Sequence, residues 1–107
     1  MTKAIFIDAQ YNTIYATEVS GLKDLQRLVQ GLIEVAPATD TSGSTLYVDE
    51  EGLLKNYNYA FSYNGSDPYY GNGVLIGAAD EHGNDTDVLA TIEEVKQRVR
   101  FYVRIGG

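Results

Sequence analysis

Apolar positions along the chain switch between a period of two and a period of three to four, and the switches mark out its elements. Residues 4–8, Ala-Ile-Phe-Ile-Asp, alternate imperfectly and end on an acid, Tyr11-Asn12 forms a turn, and Thr13–Val19 is rich in β-branched and aromatic residues. That order predicts a β-hairpin. From Gly21 the spacing lengthens: Leu22, Leu25, Leu28, Val29, Leu32 and Ile33 recur at three and four, opposite Lys23, Asp24, Gln26, Arg27 and Gln30. This predicts an amphipathic helix over about 21–35, capped by Ser20 and bounded by Pro37.

After a loop at Ser42-Gly43, Thr45–Asp49 reads as a strand and Glu50-Glu51-Gly52 as a turn into Leu53-Leu54. Residues 56–73 follow no clear period and hold three of the eleven glycines and five of the nine tyrosines. They predict a long loop with one short helical or extended piece. Val74–Ala79 is an apolar run suited to a buried strand, and Asp80–Asp87 is a polar connection. Thr91 and Glu94 have capping-box spacing, ahead of a stripe of Ile92, Val95, Val99, Tyr102 and Val103. A helix over about 91–104 follows, with Lys96, Arg98, Arg100 and Arg104 toward its C-terminus, where they complement the dipole. Together the elements predict one α+β domain: a mostly antiparallel sheet of about 4–5 strands with two amphipathic helices on one face.

Composition agrees with one domain, since 107 residues at 44% apolar suffice for a single core. The absence of cysteine excludes disulfides, thiolate nucleophiles, Cys-ligated zinc and iron–sulfur clusters, and fits a reducing compartment. A cytoplasmic location is expected. No run approaches the roughly 18 apolar residues of a membrane span, so neither membrane insertion nor secretion is expected.

Charge changes the picture more. Residues 40–94 carry eleven carboxylates (Asp40, Asp49, Glu50, Glu51, Asp67, Asp80, Glu81, Asp85, Asp87, Glu93, Glu94) against one cation, Lys55, within a chain of net charge -7. Half of all lysines and arginines fall in the last twelve positions. A surface of this sign repels phosphate and attracts basic surfaces, so direct nucleic-acid binding is not expected.

Candidate chemistry is sparse. Asp80, His82, Asp85 and Asp87 are weak candidates for a hard cation, but their spacing does not match an EF-hand, and a solvated connection in which Asp85 or Asp87 shields backbone donors accounts for them. No metal site and no cofactor are expected. His82 has no serine, threonine or carboxylate arranged with it as a catalytic group would need. Asp49-Glu50-Glu51 raises the paired carboxylates of glycosidases, yet adjacent residues at a strand end point different ways, and a turn is the better reading. Gly71-Asn72-Gly73 lacks the lysine and following helix of a phosphate loop. Gly106-Gly107 reads as a frayed terminus. Tyr57, Tyr59, Tyr63, Tyr69 and Tyr70, separated by Asn, Ser and Gly, combine broad contact area with adaptable hydrogen bonding, the chemistry of antibody paratopes. They serve either as partner contacts or as rings packed on their own domain.

Three stretches in order resemble a small family, domain of unknown function 3846. They are Lys3–Val19; Leu46–Lys55, Leu-Tyr-Val-Asp-Glu-Glu-Gly-Leu-Leu-Lys, with Asn58 and Ala60 after it; and Gly73–Ala78 leading to Asp80-Glu81 and Gly83. The resemblance implies a cytoplasmic accessory protein of phage, plasmid or other mobile-element setting, and supplies no catalytic residues. The Tyr/Asn/Gly stretch after Lys55 departs from the shorter, Pro-containing connections of the family.

The resulting expectation is a non-enzymatic binding protein that engages a basic surface of a host or defence protein, steered by Asp49, Glu50 and Glu51 and anchored by tyrosines 57–70. An anti-defence inhibitor acting as a phosphate mimic is its concrete version. The alternatives are a small-molecule binder or minor enzyme with a pocket under the 56–73 loop and Asp80, His82, Asp85 or Asp87 at its rim, and a homo-oligomeric structural module.

Overall fold

The opening alternation is imperfect because the first strand is covered on both sides. In the computed structural model, which describes residues 1–36 and 43–104, β1 (Thr2–Asp8) buries Ala4, Ile5, Phe6 and Ile7 alike. A strand with two apolar faces belongs in the middle of a layered fold. It pairs along its whole length with β2 (Thr13–Val19), through a turn in which Asn12 takes a left-handed φ of 55°. The predicted hairpin is present.

The helix α1 (Gly21–Val29) follows, then β3 (Ile33–Ala36), β4 (Thr45–Asp49), β5 (Tyr59–Tyr63), β6 (Tyr69–Tyr70), β7 (Gly73–Ile76), α2 (Ile92–Arg98) and β8 (Val99–Val103). Five strands form one antiparallel sheet in the order β2-β1-β7-β4-β3, and three form a second in the order β6-β5-β8. The class is α+β, as the sequence predicts.

The placement of the helices differs from expectation. Leu25 and Val29 of α1 pack with Ala4, Phe6, Val19, Val74 and Ile76 on one face of the large sheet. Val95 of α2 packs with Ile5, Ile7, Leu46, Val48, Leu75, Phe61 and Tyr63 on the other. The two helices therefore lie on opposite faces, and α2 shares its face with the small sheet. Val74 and Ile76 alternate with Leu75, so β7, like β1, offers apolar side chains to two layers.

Both helices are also shorter than their stripes. After Val29, Gln30 adopts a left-handed φ of 66° and its N–H bonds the Gln26 carbonyl, as does the N–H of Gly31 at 3.1 Å. This closes the helix and sends Ile33–Ala36 into β3. Ser20 caps α1 without its side chain; its N–H instead donates to Asp24 Oδ2 at 2.7 Å. The second helix has the predicted capping box, with Thr91 Oγ1 accepting from the Glu94 N–H at 3.1 Å and Glu94 Oε1 accepting from the Thr91 N–H at 3.0 Å. It stops at Arg98 because Val99, Phe101 and Val103 alternate with polar or half-polar residues, and pair with Tyr63, Phe61 and Tyr59.

The expected long loop over 56–73 is largely a β-hairpin. Asn64 and Gly65, with φ of 55° and 80°, are the central pair of a β-turn that opens the connection from β5 to β6, and the Ser66 N–H closes it on the Tyr63 carbonyl at 3.1 Å. Asn-Gly is the dipeptide such turns favour, because both central residues need positive φ. The residues Pro37, Asp40, Ser42 and Gly106-Gly107, singled out above, lie outside the described residues.

Candidate functional site

Asp49 ends β4 with its side chain wholly inaccessible, so its charge has to be met inside the protein. Oδ1 accepts the Glu51 N–H at 2.9 Å, and Oδ2 accepts from Lys55 Nζ and from the Tyr57 hydroxyl, both at 2.9 Å. Lys55 Nζ donates again to the Gln30 carbonyl at 2.8 Å, at the left-handed end of α1. A Cβ on Gly31 would overlap the Lys55 ammonium and crowd both Asp49 oxygens, which gives that glycine a packing role. One carboxylate thus joins the end of α1, the end of β4 and the turn at 50–57.

The electrostatics follow from this geometry. Burial alone would raise the Asp49 carboxyl, but hydrogen bonds from Lys55, the Glu51 N–H and Tyr57 outweigh it and hold the group below the usual carboxylate range. Burial and then the Asp49 acceptor push the Tyr57 hydroxyl well above its ordinary value. Its ring lies 5.1 Å from that of Tyr59 and packs over Gly71, where the φ of 106° favours glycine and a Cβ would press on the ring. Tyr59 is raised by burial and then by the Asp8 and Asp49 carboxylates, whose negative charges disfavour a phenolate.

Beside this cluster, the edge strand β3 and the short strand β6 border a cleft of about 150 Å³. Its lining includes the buried Ala36 and Val48, the exposed Glu34, Glu50 and Pro68, the half-buried Tyr69 and Tyr70, and Leu53, which is 72% exposed. The turn that presents Glu50, Glu51 and Leu53 is closed by Gly52 N–H to Asp49 O at 3.1 Å and Leu54 N–H to Glu51 O at 2.9 Å. Gly52 lies against the Tyr70 carbonyl so closely that a Cβ would overlap it, which fastens this turn to the small sheet. The Arg104 guanidinium sits 4.5 Å from the centroid of the Tyr70 ring, a cation–π distance. Tyr69 is supported from below by Phe61, with ring centroids 5.6 Å apart.

The structure divides the sequence candidates. Tyr69, Tyr70 and Glu50 come together at the cleft, with Glu51 exposed on the same turn. Tyr57 and Tyr59 are half-buried in the Asp49 cluster. Tyr63, at 2% exposed, and Asp49, at 5%, are internal, so neither is a surface contact or a steering charge as first expected. Strand alternation turns Tyr63 into the core, and the Asp49 charge is already met by Lys55. Glu34 was missed, because the expected helix over 21–35 hid the strand pattern Ile33-Glu34-Val35-Ala36.

Two of the four carboxylates in Asp80–Asp87 accept from backbone donors. Asp80 Oδ1 accepts from the His82 N–H at 2.8 Å and the Asn84 N–H at 2.9 Å, and Asp87 Oδ1 accepts from the Lys3 N–H at 2.8 Å. The Asn84 bond and then that of His82 hold the Asp80 carboxyl below its ordinary value. Asp80 and Asp87, rather than Asp85, do the shielding, while the Asp85 charge adds to burial in raising the Tyr47 hydroxyl. His82 Nε2 lies 3.4 Å from Glu81 Oε1 in an exposed pair. Among the described residues, no group of three or more His, Asp or Glu side chains is arranged to hold a metal ion. Nor is any helix among them long and apolar enough to cross a membrane.

No curated protein and no solved structure matches the chain. The Leu46–Lys55 stretch that carries the family resemblance is the segment that builds the Asp49 cluster and the exposed turn beside the cleft. The model of the domain of unknown function family DUF3846 matches residues 1–100 of the 107, and the chain belongs to that family.

Proposed function

We propose that this protein is a non-enzymatic binding protein that engages a basic surface of another protein through the β3/β6 cleft. Support comes chiefly from one observation: two exposed glutamates, Glu34 and Glu50, line the same cleft as two tyrosines, Tyr69 and Tyr70, together with the buried apolar Ala36 and Val48. Carboxylates steer and pair lysine or arginine, while aromatic rings supply desolvated contact area. Tyr70 already stacks a guanidinium, that of Arg104, so its ring suits the side chain such a partner would bring. At about 150 Å³ this cleft falls below the roughly 300–1,000 Å³ of typical small-molecule sites, so the cleft itself suits the side chains of a protein ligand better than a bound metabolite.

In this reading the setting is the cytoplasm of a bacterium carrying the phage, plasmid or other mobile element. The target is a host or defence protein, and an anti-defence inhibitor is the concrete form. A protein of net charge -7 suits an empty phosphate channel, whose basic lining it would occupy in place of nucleic acid. The test is affinity capture from host lysate with three baits: wild type, Glu34→Gln/Glu50→Gln and Tyr70→Ala. A basic protein retained by the wild type and lost from both variants is the expected result. Equal retention by all three baits would remove the cleft from the function.

A further inference from the structure

The far edge of the large sheet carries a second surface, independent of the cleft. β2 pairs with β1 at all seven positions, from Thr2 opposite Val19 to Asp8 opposite Thr13, without a bulge. In an antiparallel ladder each strand turns half of its N–H and C=O groups to either side, so half of those of β2 point outward. Among the described residues, no backbone hydrogen bond outside the ladder involves Thr13–Val19. Edge strands are ordinarily blunted by shortness, lysine, proline or a bulge. β2 is long for an edge, and its sequence, Thr-Ile-Tyr-Ala-Thr-Glu-Val, contains no lysine and no proline. The opposite edge is blunted: β3 has four residues, one of them Glu34, and Pro37 follows it in the sequence.

We propose that the occupant of this edge is a second copy of the chain, β2 pairing antiparallel with β2 about a two-fold axis at Ala16, which joins the two five-stranded sheets into one of ten. Identical strands meet the hydrogen-bonding demand of an antiparallel ladder by symmetry alone. The axis at Ala16 decides which side chains meet. On the α1 face Tyr15, 46% exposed and held edge-on against Phe6 at 5.4 Å, falls opposite Thr17 of the copy, an aromatic and β-branched pair. On the other face Ala16 meets Ala16, and Ile14 of the copy falls opposite Glu18, at the groove lined by Lys3, Ile5, Ala16, Glu18, Val88 and Ile92.

Charge permits a self-contact at this edge. Most of the chain's acids lie in residues 40–94, whereas β2 contributes a single acid, Glu18, whose register partner on β1 is Lys3. With the axis at Ala16, the two Glu18 residues lie four residue levels apart, about 14 Å along the strand. That exceeds the screening length of roughly 8–10 Å at physiological salt.

The experiment is sedimentation velocity on the full chain from low micromolar to near-millimolar concentration, with Ala16→Lys and Ala16→Glu variants alone and mixed. Ala16 is exposed in the single chain, so both variants should keep the far-ultraviolet spectrum and the cooperative melt of the wild type. The proposal expects the wild type to reach twice the 11.8 kDa chain mass, each variant alone to stay monomeric because like charges meet at the axis, and their mixture to regain the dimer. A wild type that is monomeric throughout, or a dimer that persists in either variant alone, overturns it.

Discussion

Replacing Lys55 by methionine isolates the interaction that organises the site. The substitution keeps most of the aliphatic stem and removes the ammonium, leaving the inaccessible Asp49 carboxylate with two of its three donors, the Glu51 N–H and the Tyr57 hydroxyl. Removing one partner of a fully buried pair costs about 3–5 kcal/mol. The Lys55 side chain is 32% exposed, so water can approach the vacated position, and a cost of about 1.5–3 kcal/mol at neutral pH follows. Urea denaturation reads this as a lower midpoint with unchanged slope, with Lys23→Met as an exposed control within about 0.5 kcal/mol. The pH dependence carries the sign. Because the folded-state value of Asp49 lies below its unfolded value, its contribution is complete above the unfolded value of about 3.9 and is lost as pH falls through the folded one. The gap between wild type and Lys55→Met should therefore narrow below about pH 4. A gap under about 0.5 kcal/mol at neutral pH, or one of the same size at about pH 3, would refute the role given to this ion pair.

Other consequences are simpler to check. Leu25→Ala, at a site 3% exposed beneath α1, should cost about 2–5 kcal/mol in the same assay, whereas Arg27→Ala on the outer face should stay within about 0.5 kcal/mol. Thr91→Ala removes one half of the capping box and should cost about 1 kcal/mol, with Thr91→Ser recovering most of it. Melting in chelator and then in millimolar calcium or magnesium should give the same midpoint, because Asp80 and Asp87 are engaged by backbone donors. A site filled at a hundredfold excess over its dissociation constant would instead add about 2.7 kcal/mol.

What the sequence disclosed depended on whether one period or two were present. The β1–β2 hairpin and the Thr91 capping box rest on local signals that no neighbour contradicts, and both appear where predicted. Leu32 and Ile33 continue the i, i+4 stripe of α1 and also open the alternation of β3; the left-handed Gln30, invisible in the pattern, decides between them. Val99–Val103 carries the same ambiguity, resolved by pairing with β5, a strand forty residues away in the chain. The Asn64-Gly65 turn was a readable hairpin signal, obscured by the density of Tyr, Asn and Gly around it. Which face each helix covers is a tertiary fact, since strands with two apolar faces accept a layer on either side. The site was half legible: Tyr69, Tyr70 and Glu50 were in view, while the burial of Asp49 and the arrival of Glu34 required the fold.

The rate of association with a captured partner, measured against salt for the wild type and for Glu34→Gln/Glu50→Gln/Glu51→Gln, tests the proposed binding function most directly. Rim carboxylates act on encounter over about a Debye length, roughly 8–10 Å at physiological salt. The account predicts that wild-type association slows steeply as salt rises, that the triple variant associates more slowly at low salt with a flattened dependence, and that dissociation changes little between the two. Association that ignores both salt and the three substitutions would contradict it.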